Sequence, residues 1–252
     1  MKMIGNTILI TGGGSGIGRG LAEAFHKLGN QVIISGRRRG HLDAVTGANP
    51  GMASIELDVT DPASVAAATA KLIADFPALN VLINNAGVME IDDAGGVIDE
   101  ALLSGTIATN LMGPIRLTSA LIAHLKTRPD AVVANVSSVL GFTPMAFTGV
   151  YSATKAAMHS YTLSQRFMLR KTGVKVLEIA PPWVRTELLN SSEEERAMPL
   201  DVFIASTMAL LATDADEIVI EEAKAMRANP GVGEHAWVNQ FNGLMVAGTP
   251  LE

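Results

Sequence analysis

Tyr151-Ser152-Ala153-Thr154-Lys155 sets a phenol and an ammonium four residues apart. On a helix the two side chains share one face, about one turn apart. A phenol ionises near pH ~10 and is by itself a poor acid or base at neutrality. A nearby ammonium favours the phenolate and lowers that value, so the pair reads as a proton donor and acceptor tuned toward working pH. Tyrosine is scarce, 2 in 252 residues, which gives weight to one in this setting. The bland alternative is a helix with a core Tyr and an exposed Lys. Upstream, Asn135-Val136-Ser137-Ser138 closes an apolar run. Ser138 could donate a hydrogen bond to a substrate oxygen, and Ser137 is its rival.

A second constellation lies near the N-terminus, Thr11-Gly12-Gly13-Gly14-Ser15-Gly16-Ile17-Gly18. Glycines permit a tight turn and a close backbone approach to a pyrophosphate, and the N–H groups of a following helix complete an anion site. Gly12, Ser15, Gly16, Ile17 and Gly18 are the positions that would cradle a dinucleotide. The spacing is G-x-x-x-G-x-G, not the general G-x-G-x-x-G fingerprint.

The elements that must position these groups alternate. Strands are expected at 7–10, 31–35, 53–58, 81–84, 131–136 and 175–180, with a weaker one at 217–220. Helical patterns follow at 17–28, after the Asp61-Pro62 cap signal, at about 101–126 and from Tyr151 to about Lys171. Such alternation implies βαβ units, hence an α/β fold of Rossmann type. A doubly wound parallel sheet is flanked by helices in a single domain over residues 1–252. Residues from about 182 to 199 read as a mobile substrate loop or short helix, and the tail from Val232 as a short helix.

Composition agrees. Hydrophobic residues make up 48% and charged residues 17%, and mean hydropathy is +0.29. That suits strands buried on both faces and argues against disorder. The net charge of −6 and the absence of a basic stripe speak against a nucleic-acid partner. With no cysteine, disulfides and thiolate metal sites are excluded and a reducing cytoplasm is the expected location. No signal-peptide pattern or membrane-length apolar run is evident. The 5 His are scattered and give no metal-ligand cluster. His159 reads as a helix-interface residue.

The motifs in order resemble the classical short-chain dehydrogenase/reductase family over nearly the whole chain. They are Thr11-Gly12-x-x-x-Gly16-x-Gly18, Asp58-Val59, Asn84-Asn85-Ala86-Gly87, Asn110, Ser138, Tyr151-x-x-x-Lys155 and Pro181-x-x-Val184-x-Thr186. Segments 9–13, 80–87 and 180–184 are similar to the DltE-like branch. The resemblance implies an NAD(P)-dependent carbonyl reductase or alcohol dehydrogenase. Tyr151 would exchange the proton, Ser138 orient the carbonyl, Lys155 hold the nicotinamide ribose, and Asn110 anchor a relay water. Asp58 and Val59 would meet the adenine, and Asn85, Ala86 and Gly87 would line the cofactor. Pro181, Val184 and Thr186 would hold the carboxamide. For Asn84 a purely structural role is as good a reading. Pro182 departs from the family's Gly, and a second proline removes an N–H and reshapes the nicotinamide pocket.

NAD sites usually carry an acid at the end of the second strand. Here the chain runs Ser35-Gly36-Arg37, so NADP (NADPH) is favoured over NAD, with Arg37 on the 2′-phosphate. Met89, Val139, Leu140, Met145 and Phe147, facing Trp183, Leu188 and Leu189, suggest a small apolar ketone or secondary alcohol. The helices bearing Asn110 and Tyr151 pair across a twofold in this family, so a homodimer or homotetramer is expected. Two rival readings are a non-catalytic NAD(P)-binding regulator, which the intact Ser138-Tyr151-Lys155 set opposes, and an epimerase or dehydratase, whose forms carry a larger C-terminal region.

Overall fold

The apolar runs of this sequence become strands that are covered on both sides. A computed structural model describes residues 1–229 and 231–247. The expected domain range of 1–252 therefore includes Pro230 and residues 248–252, which lie outside the described residues. Seven parallel strands form one sheet in the order β3-β2-β1-β4-β5-β6-β7. They are β1 (Thr7–Thr11), β2 (Gln31–Gly36), β3 (Ala53–Glu56), β4 (Leu79–Asn84), β5 (Val132–Val136), β6 (Lys175–Ile179) and β7 (Glu217–Ile218).

Alternate side chains enter two cores. Ile8, Ile10, Val32, Ile34, Val81 and Ile83 pack with Leu21, Phe25, Phe203 and Ile204. Those partners stand on α1 (Gly16–Lys27) and, past the sheet's midpoint, α7 (Leu200–Leu211). Leu42 and Val45 of α2 (Arg39–Ala48) join the same core. On the other face Leu9, Ile33, Leu82 and Val133 meet Leu72, Leu117, Leu121 and Leu169. These belong to α3 (Pro62–Asp75), α5 (Gly113–Leu125) and α6 (Gly149–Leu169). Residues i and i+1 of a strand thus feed opposite cores, which is why the runs read as continuously apolar.

Among the described residues the remaining helices are α4 (Glu100–Ile107), the short α8 (Lys224–Arg227) and α9 (Glu234–Ala247). Helix α2 was not anticipated because only Leu42 and Val45 are buried along it and glycines sit near both ends. The expected helix over 101–126 is divided by one π-helical turn, Ala108–Met112. The third and seventh strands are shorter than expected, ending at Glu56 and Ile218. No described helix is long and apolar enough to cross a membrane.

The order of strands places a topological switch point between β1 and β4. Loops leave the carboxyl ends of these two strands in opposite directions and open a crevice, the usual ligand position in such sheets.

Candidate active site

The crevice is a cleft of about 1000 Å3 that runs across the carboxyl ends of the sheet. The glycine turn forms one wall. Gly12 and Gly16 have φ of +66° and +52°, a conformation that L side chains rarely adopt. A Cβ on Gly18 would sit 2.4 Å from both Asn85 Nδ2 and the Gly12 carbonyl. Gly18 therefore packs beneath the turn, while Gly12, Ser15, Gly16 and Ile17 line the cleft.

Thr11 ties the two sides of the switch point together. Its hydroxyl accepts from the N–H groups of Asn85 and Ala86, each at 2.9 Å. Asn85 Nδ2 donates back to the Thr11 carbonyl at 2.9 Å. Asn84 is structural: Nδ2 donates to Thr118 Oγ1 and Asn135 Oδ1, both at 2.9 Å, within the sheet-to-helix packing.

The residues present fit a dinucleotide. Helices α3 and α4 have their first N–H groups capped by Asp61 and Asp99, but Ser15 makes no such side-chain cap on α1. The first turn of α1 thus offers backbone donors and the positive end of its dipole to an anion in the cleft. Arg37, Asp58 and Val59 line the far end. Burial pushes the Asp58 carboxyl up, but hydrogen bonds from the Thr60 hydroxyl and N–H and the charge of Arg37 outweigh it and hold it below its usual value. Arg38 lies there too, 3.5 Å from both Ser15 Oγ and Glu187 Oε2. Arg38 precedes α2, and its contact with the glycine turn comes from how that helix starts.

Ser138, Tyr151 and Lys155 meet at the middle of the cleft. Ser138 follows β5 and caps a short 3-10 turn, accepting from Leu140 N–H at 3.2 Å. Its hydroxyl also lies near enough to the Tyr151 phenol to favour the phenolate. Tyr151 and Lys155 project from the first turns of α6, and Lys155 Nζ stands 5.4 Å from the phenol ring centroid. Nζ donates to the Val136 carbonyl at 2.9 Å. The sequence-based expectation was a phenol lowered by the ammonium. Instead burial pushes the Tyr151 phenol up to about 12 against the lowering effect of Ser138. Burial likewise pulls Lys155 down to about 8. Loss of hydration disfavours both charged forms, and here it outweighs the attraction between them.

Asn110 does not line the cleft. It is buried in the π turn, where Oδ1 accepts from Val88 N–H at 2.9 Å and Nδ2 donates to the Val88 carbonyl at 2.8 Å. This fixes the loop after Gly87, which passes beside Asn110 Oδ1 and Lys155 Nζ. A π turn at such a point is a common device of functional sites.

Pro181, Pro182, Val184 and Thr186 complete the wall, with the Pro181 carbonyl accepting from Val139 N–H at 3.0 Å. The segment expected to be a mobile loop or short helix contains a short 3-10 turn, Leu188–Asn190, and side chains bond along it. Arg185 donates to the carbonyls of Glu194, Glu195 and Ala197. Trp183 Nε1 donates to Ser191 Oγ at 2.9 Å. The eight apolar residues expected around the substrate all line the cleft, and Met226, Phe241 and Met245 join them from the C-terminal region. Phe241 and Met245 were missed, although their i, i+4 spacing on α9 is a signal that sequence alone offers.

Comparison with known proteins agrees with this geometry. Residues 6–197 match the family model described as short chain dehydrogenase. The chain is 40% identical over 199 residues to the uncharacterized oxidoreductase DltE of Bacillus subtilis, covering 79% of each chain. It is 32% identical over 216 residues to a sulfoacetaldehyde reductase of Chromohalobacter salexigens, 83% of this chain and 85% of that one. Among solved structures, a short chain dehydrogenase from Burkholderia cenocepacia in complex with NADP superposes with a TM-score of 0.84 at 25% identity, over 94% of this chain and 99% of that chain.

Proposed function

The chain belongs to the short chain dehydrogenase family of nicotinamide-dependent oxidoreductases, which act on alcohol and carbonyl groups, and from that premise we propose that it interconverts an apolar ketone and its secondary alcohol with NADP(H) in preference to NAD(H). The observation that carries the reading is the meeting of Ser138, Tyr151 and Lys155 in one cleft with the glycine turn. A bound nicotinamide would supply or take the hydride. Tyr151, kept protonated by burial, would give its proton to the carbonyl oxygen as charge develops there. Ser138 would hold that oxygen by a second hydrogen bond. Lys155 would hold the ribose hydroxyls beside the phenol, and Asn110 would place the relay water and fix the Val88 backbone behind them.

Support for NADP comes from the neutral end of β2 at Gly36 and from Arg37 and Arg38 beside it, suited to a 2′-phosphate. Asp58 and Val59 would take the adenine, and Pro181, Val184 and Thr186 the carboxamide. Support for an uncharged substrate comes from Arg196. Its guanidinium is held by both oxygens of Glu194 at 2.9 and 2.8 Å, so its charge is offset within the cleft rather than turned to an acid such as the one a sulfoacetaldehyde reductase accepts. The cysteine-free chain would work in the cytoplasm. It would pair through α6 as a homodimer or homotetramer, where Leu163, Phe167 and Met168 are 47%, 61% and 74% exposed.

The test is consumption of NADPH and NADH with a panel of ketones, aldehydes and keto esters. Rapid NADPH loss with apolar carbonyls and little with NADH is the expected result. A preference for NADH overturns the cofactor reading. No turnover with either cofactor, although nucleotide binds, overturns the reductase reading in favour of a regulator.

A further inference from the structure

Glu178 on β6 has no exposed surface and takes no part in the steps above. Burying a carboxylate is costly unless it is hydrogen-bonded, so its partners carry information. Oε1 accepts from Ser137 Oγ at 2.5 Å, and Oε2 lies 2.8 Å from His159 Nδ1. In the Nδ1–H tautomer of His159 the imidazole donates to Oε2. Ser137 lines the cleft, but its hydroxyl is engaged by Glu178.

The two partners stand on the two elements that bring the reacting hydroxyls together. Ser137 immediately precedes Ser138 at the end of β5, and Val136 before it accepts from Lys155 Nζ at 2.9 Å. His159 lies one turn past Lys155 and two past Tyr151 on α6. One carboxylate thus joins the strand that presents Ser138 to the helix that presents Tyr151. A second tie reinforces it from behind. The Phe142 ring meets the His159 ring edge-on at 4.8 Å and carries the Arg227 guanidinium 4.4 Å from its own centroid. Arg227 Nε donates to Glu217 Oε1 at 2.6 Å. Ligand atoms of His159, Glu178 and Glu217 lie within 4.8 Å of one another. Arg227 already supplies the positive charge there, and both Glu178 oxygens are engaged, so the cluster reads as a joint rather than a cation site.

We infer that Glu178, with Ser137 and His159, is a positioning residue that sets the hydroxyl of Ser138 against the phenol of Tyr151. The inference rests on the reading of those two hydroxyls as the reacting groups. A shift of the helix against the strand end would misplace the proton donor, and Lys155 with it, while leaving the glycine turn and the apolar substrate wall in place.

Three variants test it: Glu178→Leu, which removes both hydrogen bonds at similar volume, Glu178→Gln, which keeps both with the other His tautomer, and Ser137→Ala. Two readouts are used. The first is kcat and KM with NADPH and the best ketone. The second is the spectrum of protein labelled with 13Cζ-tyrosine, in which a Tyr161→Phe background leaves Tyr151 alone. Glu178→Leu is expected to lose about 10- to 50-fold in kcat, with the ketone KM within about threefold, and to move the Tyr151 resonance. Glu178→Gln should stay near the parent in both readouts. A folded Glu178→Leu protein with parental kcat and an unmoved resonance overturns the inference, as does a loss confined to KM. If Glu178→Leu does not fold, Ser137→Ala decides: a kcat loss of about threefold or more with a moved resonance supports the joint, and neither overturns it. The resonance needs no turnover, so a silent parent enzyme with a moved resonance would refute the proposed reaction and not the coupling.

Discussion

Lys155 directs its ammonium past Tyr151: Nζ bonds the Val136 carbonyl at 2.9 Å and stays 5.4 Å from the phenol ring centroid. The pair is adjacent without a direct hydrogen bond, and burial sets each group's acidity separately. The phenol rises to about 12 and the ammonium falls to about 8. For carbonyl reduction the proton donor is then present across the whole working range, and Lys155 is the group that changes state within it.

The pH profile of reduction should therefore be flat on the acid side and fall through about pH 8 as Lys155 loses its proton, not near 12 where Tyr151 would lose its own. The check is kcat/KM for ketone reduction between pH 6 and 10, with Lys155→Arg alongside. Arginine stays charged across that range, so residual activity in this variant should show no inflection. An inflection that survives the substitution would assign it to another group.

The same burial makes a stability prediction. The folded-state value of Lys155 lies below its unfolded one, 10.5 against about 8, so the unfolded chain binds the proton more tightly. Below pH 8 both states are charged and the folded state carries the full burial penalty, of order 3 kcal/mol at ~1.4 kcal/mol per unit. Between about 8 and 10.5 the penalty is relieved, so stability from this group rises with pH. Denaturant unfolding of the parent and Lys155→Met at pH 7.5 and 10 should show the parent gaining on the variant at the higher pH. A constant difference would mean that the ammonium is better solvated than its burial implies.

Tyr151→Phe removes one oxygen from a buried ring and leaves the nucleotide wall untouched. Turnover should fall by ~10²- to 10⁴-fold, the usual contribution of a positioned acid. NADPH affinity, read by fluorescence titration, should change by less than about threefold. Loss of nucleotide binding would instead make Tyr151 a structural residue.

How much of this was legible in the sequence follows the physics of each element. The strand runs were legible because Ile8 and Ile10 feed one core while Leu9 feeds the other, leaving unbroken apolar strings. The glycine turn and the Tyr151–Lys155 spacing were legible because local geometry dictates both. The acidity of Tyr151 was not, since it depends on how much water the folded cleft excludes. The side-chain bonds across segment 182–199 were hidden for a similar reason. Arg185 there collects three backbone carbonyls that only the fold brings together. Asn110 could be picked out by resemblance, but its withdrawal from the cleft into a π turn could not. The role of Glu178 was invisible because Ser137, His159 and Glu178 are distant in sequence and meet only through β5, β6 and α6.

Thr11 offers the sharpest separation of scaffold from chemistry. One hydroxyl oxygen accepts from two backbone donors, Asn85 N–H and Ala86 N–H, at 2.9 Å each, where the loop after β4 passes the end of β1. Thr11 is 2% exposed, so water cannot readily take its place. Thr11→Ala leaves two N–H groups without their partner, at about 1–3 kcal/mol for each that stays buried. The loop carrying Asn85, Ala86 and Gly87 should then loosen against Gly12. Nucleotide affinity should drop by about tenfold or more, since ~1.4 kcal/mol is one decade, while the phenol and its partners on α6 stay in place. Thr11→Ser restores the oxygen without the methyl and should recover most of both losses. Unfolding in urea and NADPH titration of the two variants separate the outcomes. If Thr11→Ser fails as badly as Thr11→Ala, packing of the methyl group, and not the shared acceptor, holds the switch point together.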